Sequence, residues 1–167
     1  IWAIGDVAGE PQLAHKAAAE ARVAVESIAG RKVVFEPKAI PAVVFTDPEI
    51  AWCGLTEAEA KKAGRAVKVA RFPWAASGRA VALDRTEGVT KILSDPADGR
   101  VLGAAICGVH AGDLISEAVL AVEMGATVAD LGLTIHPHPT LSETLMEAAE
   151  VAEERCVHLF TRKKTSN

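Results

Sequence analysis

The 167-residue sequence contains no tyrosine, only three cysteines and few aromatic residues of any kind. Cys53, Cys107 and Cys156 lie far apart, and no C-x-x-C pair exists from which a zinc site or a local redox dithiol would be predicted. We therefore expect three buried or half-buried thiols in a reducing compartment, which predicts a cytoplasmic location.

The sequence also lacks a basic excess, a long apolar run and a secretory signal. Its formal net charge is -4, and the charged residues are spread along the chain, which argues against a nucleic-acid-binding surface. No apolar span reaches the roughly 20 residues of a transmembrane helix. Because the chain opens directly in an apolar, strand-like run without an initiator Met, we expect it to be a piece of a longer protein.

What the sequence does contain is a series of short strand patterns joined by turns, followed by helical patterns. Strands are predicted at 1–4, 42–45, 49–55, 66–72, 88–94 and 100–109, and helices at 13–28, 56–63, 112–124, 128–131 and 141–155. This order predicts an α+β fold, an antiparallel sheet with helices packed on one face. Residues 1–32 are expected to be the tail of another domain, 33–160 the main domain and 161–167 a polar tail.

The segment 134–144, TIHPHPTLSET, is the strongest candidate site. Prolines on both sides of His138 remove two backbone donors and favour an extended chain, so the imidazole is presented in a restricted direction. Glu143, expected in the first turn of the last helix, can return to a ring nitrogen and set its tautomer. A His–Glu dyad of this kind transfers protons.

Other interpretations of this segment remain open. Thr140 and Glu143 form an S/T-x-x-E capping box, so the glutamate could serve only to begin a helix. Ser142 lacks the G-x-S-x-G context of a nucleophile. Zinc binding by His136, His138 and Glu143 has suitable ligand types but an unfavourable, rigid spacing, so no metal is predicted. His136 is expected to be scaffolding, and His110 and His158 are expected to be structural or exposed.

A second candidate site lies near the start of the chain. Asp6 ends the first predicted strand, where its carboxylate could accept hydrogen bonds from a sugar or polyol hydroxyl. The helix start around Gln12, Leu13, Ala14 and His15 would direct backbone N–H groups towards an electron-rich ligand.

These pieces together resemble the flavin-dependent pyridine-nucleotide–disulfide oxidoreductases. Residues 1–16, IWAIGDVAGEPQLAHK, resemble a flavin-contacting motif, and 41–60, PAVVFTDPEIAWCGLTEAEA, resemble the opening of the family's dimerisation domain. Segments 78–95 and 101–127 continue the match. HPHPTLSET (136–144) is similar to the terminal motif of the members that oxidise dihydrolipoyl groups.

The resemblance implies a homodimer in which His138 is the acid–base group and Glu143 orients it. His138 would take a proton from a dihydrolipoyl thiol carried by the acyltransferase of a 2-oxo-acid dehydrogenase complex. The resulting thiolate would attack a redox disulfide of the other subunit, and electrons would pass through FAD to NAD. The resemblance places Asp6 at the FAD ribityl and phosphate region and Gln12, Leu13, Ala14 and His15 beside the flavin ring.

The redox cysteine pair and the Gly-rich dinucleotide-binding segments of that family would lie upstream of Ile1. The isolated chain is therefore expected to be inactive and to hold FAD weakly. Two alternatives remain: the interface domain of a sister enzyme acting on glutathione or mercuric ion, and a purely non-catalytic dimerisation module.

Overall fold

The computed structural model describes residues 1–159, which form two compact units, Ile1–Ile40 and the chain from Pro41 onward. The assignment of residues 1–32 to a separate domain remains a prediction, and the predicted polar tail at 161–167 lies outside the described residues. Over residues 1–159, no helix has both the length and the apolar character needed to cross a membrane.

The first unit consists of a 3-10 turn at Gly5–Ala8 and helix α1, Ala14–Ile28. The strand predicted at 1–4 is wrong, because a strand requires a hydrogen-bonded neighbour and none of the described strands pairs with this segment. Apolar side chains of this unit are left exposed: Trp2 is 57% exposed and Val25 is 65% exposed.

The second unit is built on a five-stranded antiparallel sheet, as predicted. Its strands are β1 (Ala42–Val44), β2 (Glu49–Gly54), β3 (Lys68–Pro73), β4 (Val89–Ser94) and β5 (Val101–Gly108). They lie in the order β1-β2-β5-β4-β3, and every neighbouring pair is antiparallel.

The central hairpin β4–β5 follows from its turn chemistry. Asp95 accepts a hydrogen bond from the Ala97 amide at 2.9 Å, and Gly99 adopts a φ of 74°, a backbone conformation that glycine reaches without a Cβ clash. The hairpin signal at Asp95–Gly99 is therefore confirmed. The register shifts between Leu93 and Ser94, where the strands leave this turn.

Within residues 41–159, five α-helices accompany the sheet: α2 (Glu57–Lys62), α3 (Gly78–Ala82), α4 (Ala111–Met124), α5 (Val128–Leu133) and α6 (Glu143–Ala152). The capping box predicted at Thr56 and Glu59 is present. Helix α4 packs on β1, β2 and β5, whereas α6 packs on β3, β4 and α5. Helix α6 is shorter than the predicted 141–155, and α3 was not predicted.

The side chains that face these helices alternate along the strands and are buried: Ala51, Cys53, Ala70, Phe72, Thr90, Ile92, Ala104 and Ile106. Trp74, also fully buried, lies against two glycine backbones. A Cβ built on Gly88 or Gly108 would stand 2.3 Å from the indole ring, so only glycine permits this packing.

A buried chain of hydrogen bonds ties α6 to the sheet. The Trp74 indole N–H donates to the Thr90 hydroxyl at 2.9 Å, and that hydroxyl donates to the Thr144 hydroxyl at 2.8 Å. Thr144 in turn donates to the Leu141 carbonyl at 2.7 Å. Each donor in this chain has an acceptor within the core, so the first turn of α6 has a defined position on the sheet.

Candidate acid–base site

His138 and Glu143 form the predicted pair. His138 Nδ1 lies 2.9 Å from Glu143 Oε1, and the imidazole is 71% exposed while the carboxylate is 16% exposed. An ionised carboxylate can only accept a hydrogen bond, so the shared proton belongs to Nδ1. Nε2 is then an unprotonated acceptor directed away from the carboxylate. This is the tautomer that a general base requires.

Glu143 is held in place by its second oxygen. Oε2 accepts a hydrogen bond from the Thr140 amide at 2.7 Å, and the Thr140 hydroxyl donates to the Pro137 carbonyl at 2.7 Å. The segment from Pro137 to Glu143 is therefore a closed loop of hydrogen bonds around His138. Its geometry is set before any ligand arrives.

The predicted Thr140 capping box is only half formed. Helix α6 begins at Glu143 with Ser142 as its N-cap, and the Thr140 hydroxyl is engaged with Pro137 instead of a helix amide. The other hydrogen bond of a capping box is present, because the Thr140 amide donates to the Glu143 carboxylate. Ser142 Oγ lies 2.8 Å from Thr140 Oγ1, and the hydrogen-bond partner of the His138 ring is Glu143.

His136 has different partners from His138. Its Nε2 lies 2.8 Å from Glu117 Oε1 on α4, its Nδ1 lies 2.8 Å from the Thr134 carbonyl, and its side chain is only 5% exposed. The two imidazoles of the segment thus bind two different carboxylates. The role of His136 as scaffolding stays a prediction.

A cavity of about 200 Å³ lies beside the dyad, and a second imidazole–carboxylate pair shares its wall. Glu147, one helical turn after Glu143, is 4% exposed and accepts from His158 Nδ1 and, at 2.8 Å, from the Cys156 thiol. The hydrogen bond and charge of Glu147 raise the pKa of His158. Burial, followed by Glu147, raises the pKa of Cys156 to about 11.

This neighbourhood also gathers potential metal ligands. Ligand atoms of Glu147, Glu150 and Cys156 lie within 4.8 Å of one another. Burial and then the Glu147 charge raise the pKa of Glu150. A bound cation would have to displace the Cys156 thiol proton, which now forms the hydrogen bond to Glu147. The prediction that the chain binds no metal is not tested by this arrangement.

In the first unit, the structure adds a support for Asp6 that the sequence did not reveal. Lys16, 5% exposed, donates to the carbonyls of Gly5 (3.4 Å) and Gly9 (2.8 Å) and pairs with Glu20 at 2.9 Å. Glu20 also accepts from the Gly5 amide at 2.7 Å. The hydrogen bonds of Lys16 and Gly5 lower the pKa of Glu20. Asp6 therefore sits on a turn fastened to α1.

Of the four residues predicted at the start of α1, Gln12 and Leu13 precede the helix and Ala14 and His15 begin it, and their role in ligand binding stays a prediction. Leu13 is the N-cap, and its apolar side chain makes no capping hydrogen bond, so an outside acceptor could fill that role. Gln12, Ala14 and His15 are exposed and Leu13 is half-buried. Asp6 and this helix end belong to the first unit, and the His138–Glu143 dyad belongs to the second.

Sequence reasoning missed Lys16, Glu20, Glu147 and the pairing of His158. Lys16 and Glu20 did carry a signal, since a Lys–Glu pair at i, i+4 on a helix is a candidate ion pair. Glu147 follows Glu143 by four residues and so shares its helix face. His158 had no local signal, because its partner is brought to it by the chain reversal after α6.

Residues 40–149 match the family model described as the pyridine nucleotide-disulphide oxidoreductase dimerisation domain. The chain belongs to this family.

Relatives with curated names make the likeness more specific. The chain is 55% identical over 162 residues to the dihydrolipoyl dehydrogenase of Thermus scotoductus, covering 97% of this chain and 35% of that protein. It is 50% identical over 159 residues to the dihydrolipoyl dehydrogenase of Bacillus subtilis, covering 95% and 34%. The chain thus spans about a third of the length of these relatives.

Solved structures agree on the fold. LpdA from Mycobacterium tuberculosis is similar with a TM-score of 0.84 at 31% identity, over 90% of this chain and 33% of that one. The HOCl-induced flavoprotein disulfide reductase RclA from Escherichia coli also gives a TM-score of 0.84, at 29% identity over 90% and 35%.

Proposed function

We propose that this chain is the dimerisation and acid–base portion of a dihydrolipoyl dehydrogenase. The whole enzyme would oxidise dihydrolipoyl groups of 2-oxo-acid dehydrogenase complexes in the cytoplasm, with FAD and NAD. The observation that supports this most directly is the His138 Nδ1–Glu143 Oε1 hydrogen bond of 2.9 Å, which leaves Nε2 as an exposed base. The names of the 50–55% identical relatives support the same activity.

In this proposal His138 Nε2 removes the proton of one dihydrolipoyl thiol. The thiolate attacks a sulfur of the redox disulfide of the partner subunit, forming a mixed disulfide and releasing a cysteine thiolate. His138 gives that proton to the released cysteine thiolate and then removes the proton of the second lipoyl thiol. The second lipoyl thiolate attacks the lipoyl sulfur of the mixed disulfide, so that the lipoyl disulfide closes, and the second cysteine leaves as a thiolate that takes the proton from His138. The imidazolium of His138, stabilised by Glu143, holds the proton between these steps.

Bound FAD would carry the electron pair from the enzyme dithiol to NAD. In this chain, Asp6 offers a carboxylate to the ribityl and phosphate region, and Gln12, Leu13, Ala14 and His15 present the start of α1 to the flavin. The uncapped helix end at Leu13 fits an electron-rich ligand atom. The turn that carries Asp6 is already fastened to α1 by Lys16 and Glu20.

The partners follow from the same proposal. The dimerisation-domain match favours a homodimer, which would bring His138 of one subunit to the disulfide of the other. The lipoyl-bearing acyltransferase of the complex would supply the dithiol. Sedimentation of the protein should give a dimer, and a clean monomer at micromolar concentration would contradict this arrangement.

The fold neighbours also favour a second candidate. RclA is a flavoprotein disulfide reductase, so the chain could belong to a sister enzyme that reduces another small disulfide, such as glutathione, or mercuric ion. A dimerisation module without catalysis is the remaining alternative.

The deciding experiment is His138→Gln in the full-length enzyme. NAD-dependent oxidation of dihydrolipoamide should fall by ~10²–10⁴-fold, the usual contribution of general acid–base catalysis. Reduction of the flavin by NADH should persist, since it needs no thiol proton transfer. Wild-type enzyme that reduces glutathione or mercuric ion but ignores dihydrolipoamide would favour the sister enzymes, and normal turnover by the variant would remove His138 from the mechanism.

A further inference from the structure

His136 is held at both of its ring nitrogens. Both of its ring nitrogens lie 2.8 Å from oxygen acceptors, Nδ1 from the Thr134 carbonyl and Nε2 from Glu117. The side chain is 5% exposed. Because both ring nitrogens are engaged by oxygen atoms and the side chain is buried, the orientation of the ring is fixed on both sides.

Only Pro137 separates this fixed ring from His138. The proline ring restricts φ to about -65°, and the Pro137 carbonyl is held by the Thr140 hydroxyl at 2.7 Å. Few torsions between the two histidines therefore remain free. On the far side of His138, the Thr140 amide binds Glu143 at 2.7 Å. The segment that carries His138 is thus attached to helix α4 through His136 and to helix α6 through Glu143.

We propose that His136 is a positioning residue for His138, clamping the segment that carries the base to Glu117 of helix α4. This inference rests on the proposed function, because it concerns the same proton transfer. The α6 anchor sets the tautomer of His138, and the α4 anchor sets where Nε2 stands. A misplacement of about 1 Å at a reacting centre can lower a rate by ~10²-fold.

The first test is His136→Gln in the full-length enzyme. We expect kcat for dihydrolipoamide oxidation to fall by about 10- to 100-fold while KM changes little, since the His136 side chain is buried and both of its ring nitrogens are engaged within the protein. The same substitution made in a His138→Gln background should have no further effect, because the base it positions is already gone. Equal losses in both backgrounds would overturn the proposal.

Variants at Glu117 separate geometry from charge. In Glu117→Gln the amide can donate to Nε2 of a neutral His136, while Nδ1 still donates to Thr134, so the clamp is kept and kcat should stay near wild type. Glu117→Ala removes the clamp and should reproduce the His136→Gln loss. A large loss in Glu117→Gln, or none in Glu117→Ala, would contradict the clamp.

His110→Asn is the matched control. His110 is 65% exposed, and its φ of 61° is one that asparagine tolerates, so this variant should keep full activity. Imidazole ¹⁵N NMR tests the clamp without turnover: His136→Gln should broaden or shift the His138 ring signals, and His110→Asn should not. Unchanged His138 signals would overturn the clamp, whereas a wild-type enzyme inert towards dihydrolipoamide would overturn only the proposed function.

Discussion

Glu143→Gln is the substitution whose effect the geometry specifies most closely. Glu143 accepts two hydrogen bonds, one from His138 Nδ1 at 2.9 Å and one from the Thr140 amide at 2.7 Å. A glutamine has one oxygen and one NH₂ group in the same places. If its oxygen accepts from Thr140, its NH₂ must donate to Nδ1, which moves the imidazole proton to Nε2. If its oxygen accepts from Nδ1, its NH₂ faces the Thr140 N–H.

Either arrangement disfavours the state in which Nδ1 carries the proton and Nε2 is free to accept one. The first places a proton on Nε2, the atom that must accept the thiol proton, and the second sets two donors against each other. The imidazolium also loses a charge-assisted hydrogen bond, which contributes about 1.5–3 kcal/mol. At about 1.36 kcal/mol per tenfold change in rate, the loss is roughly 10- to 150-fold. Because His138 is 71% exposed, solvent screening favours the lower part of this range.

The assay is steady-state oxidation of dihydrolipoamide by the full-length enzyme, with kcat and KM measured separately. Glu59→Gln is the matched control. Glu59 also accepts a hydrogen bond from a backbone amide in a helix-capping box, that of Thr56 at 2.9 Å, but it is not hydrogen-bonded to an imidazole. The control should retain full kcat. Wild-type kcat in Glu143→Gln, with an unchanged melting temperature, would refute the tautomer argument.

Two further predictions concern stability. Thr90→Val leaves the buried Trp74 N–H without its acceptor and should lower the free energy of unfolding, measured by urea titration, by about 1–3 kcal/mol. The control Thr46→Val, at an exposed threonine, should change this free energy little. Equal losses in the two variants would contradict the buried hydrogen-bond chain. Because Glu147 raises the pKa of His158, their pairing stabilises the fold below the ordinary His pKa of about 6.5 and fades as pH rises through the raised value. The melting temperature of the wild type should therefore exceed that of His158→Gln near pH 6 and converge with it in alkaline buffer; a constant difference would refute the linkage.

Much of the second unit was predictable because its signals are local. The hairpin depends on turn residues at Asp95–Gly99, and the helix at Glu57–Lys62 depends on a capping box four residues long. His138 and Glu143 are five positions apart with Pro139 between them, so chain stiffness limits where the carboxylate can go. In contrast, the strand predicted at 1–4 failed because pairing depends on a neighbouring strand, which local pattern cannot supply.

By itself, the sequence determined the antiparallel α+β architecture and the candidate base, since both depend on periodicity, turn chemistry and short-range spacing. Only the tertiary structure decided what surrounds that base. It brought Glu117 to His136 across 19 residues, His158 to Glu147 across 11, and Thr144 to Thr90 across 54. Such contacts depend on how helices pack on the sheet, and packing is a property of the whole fold.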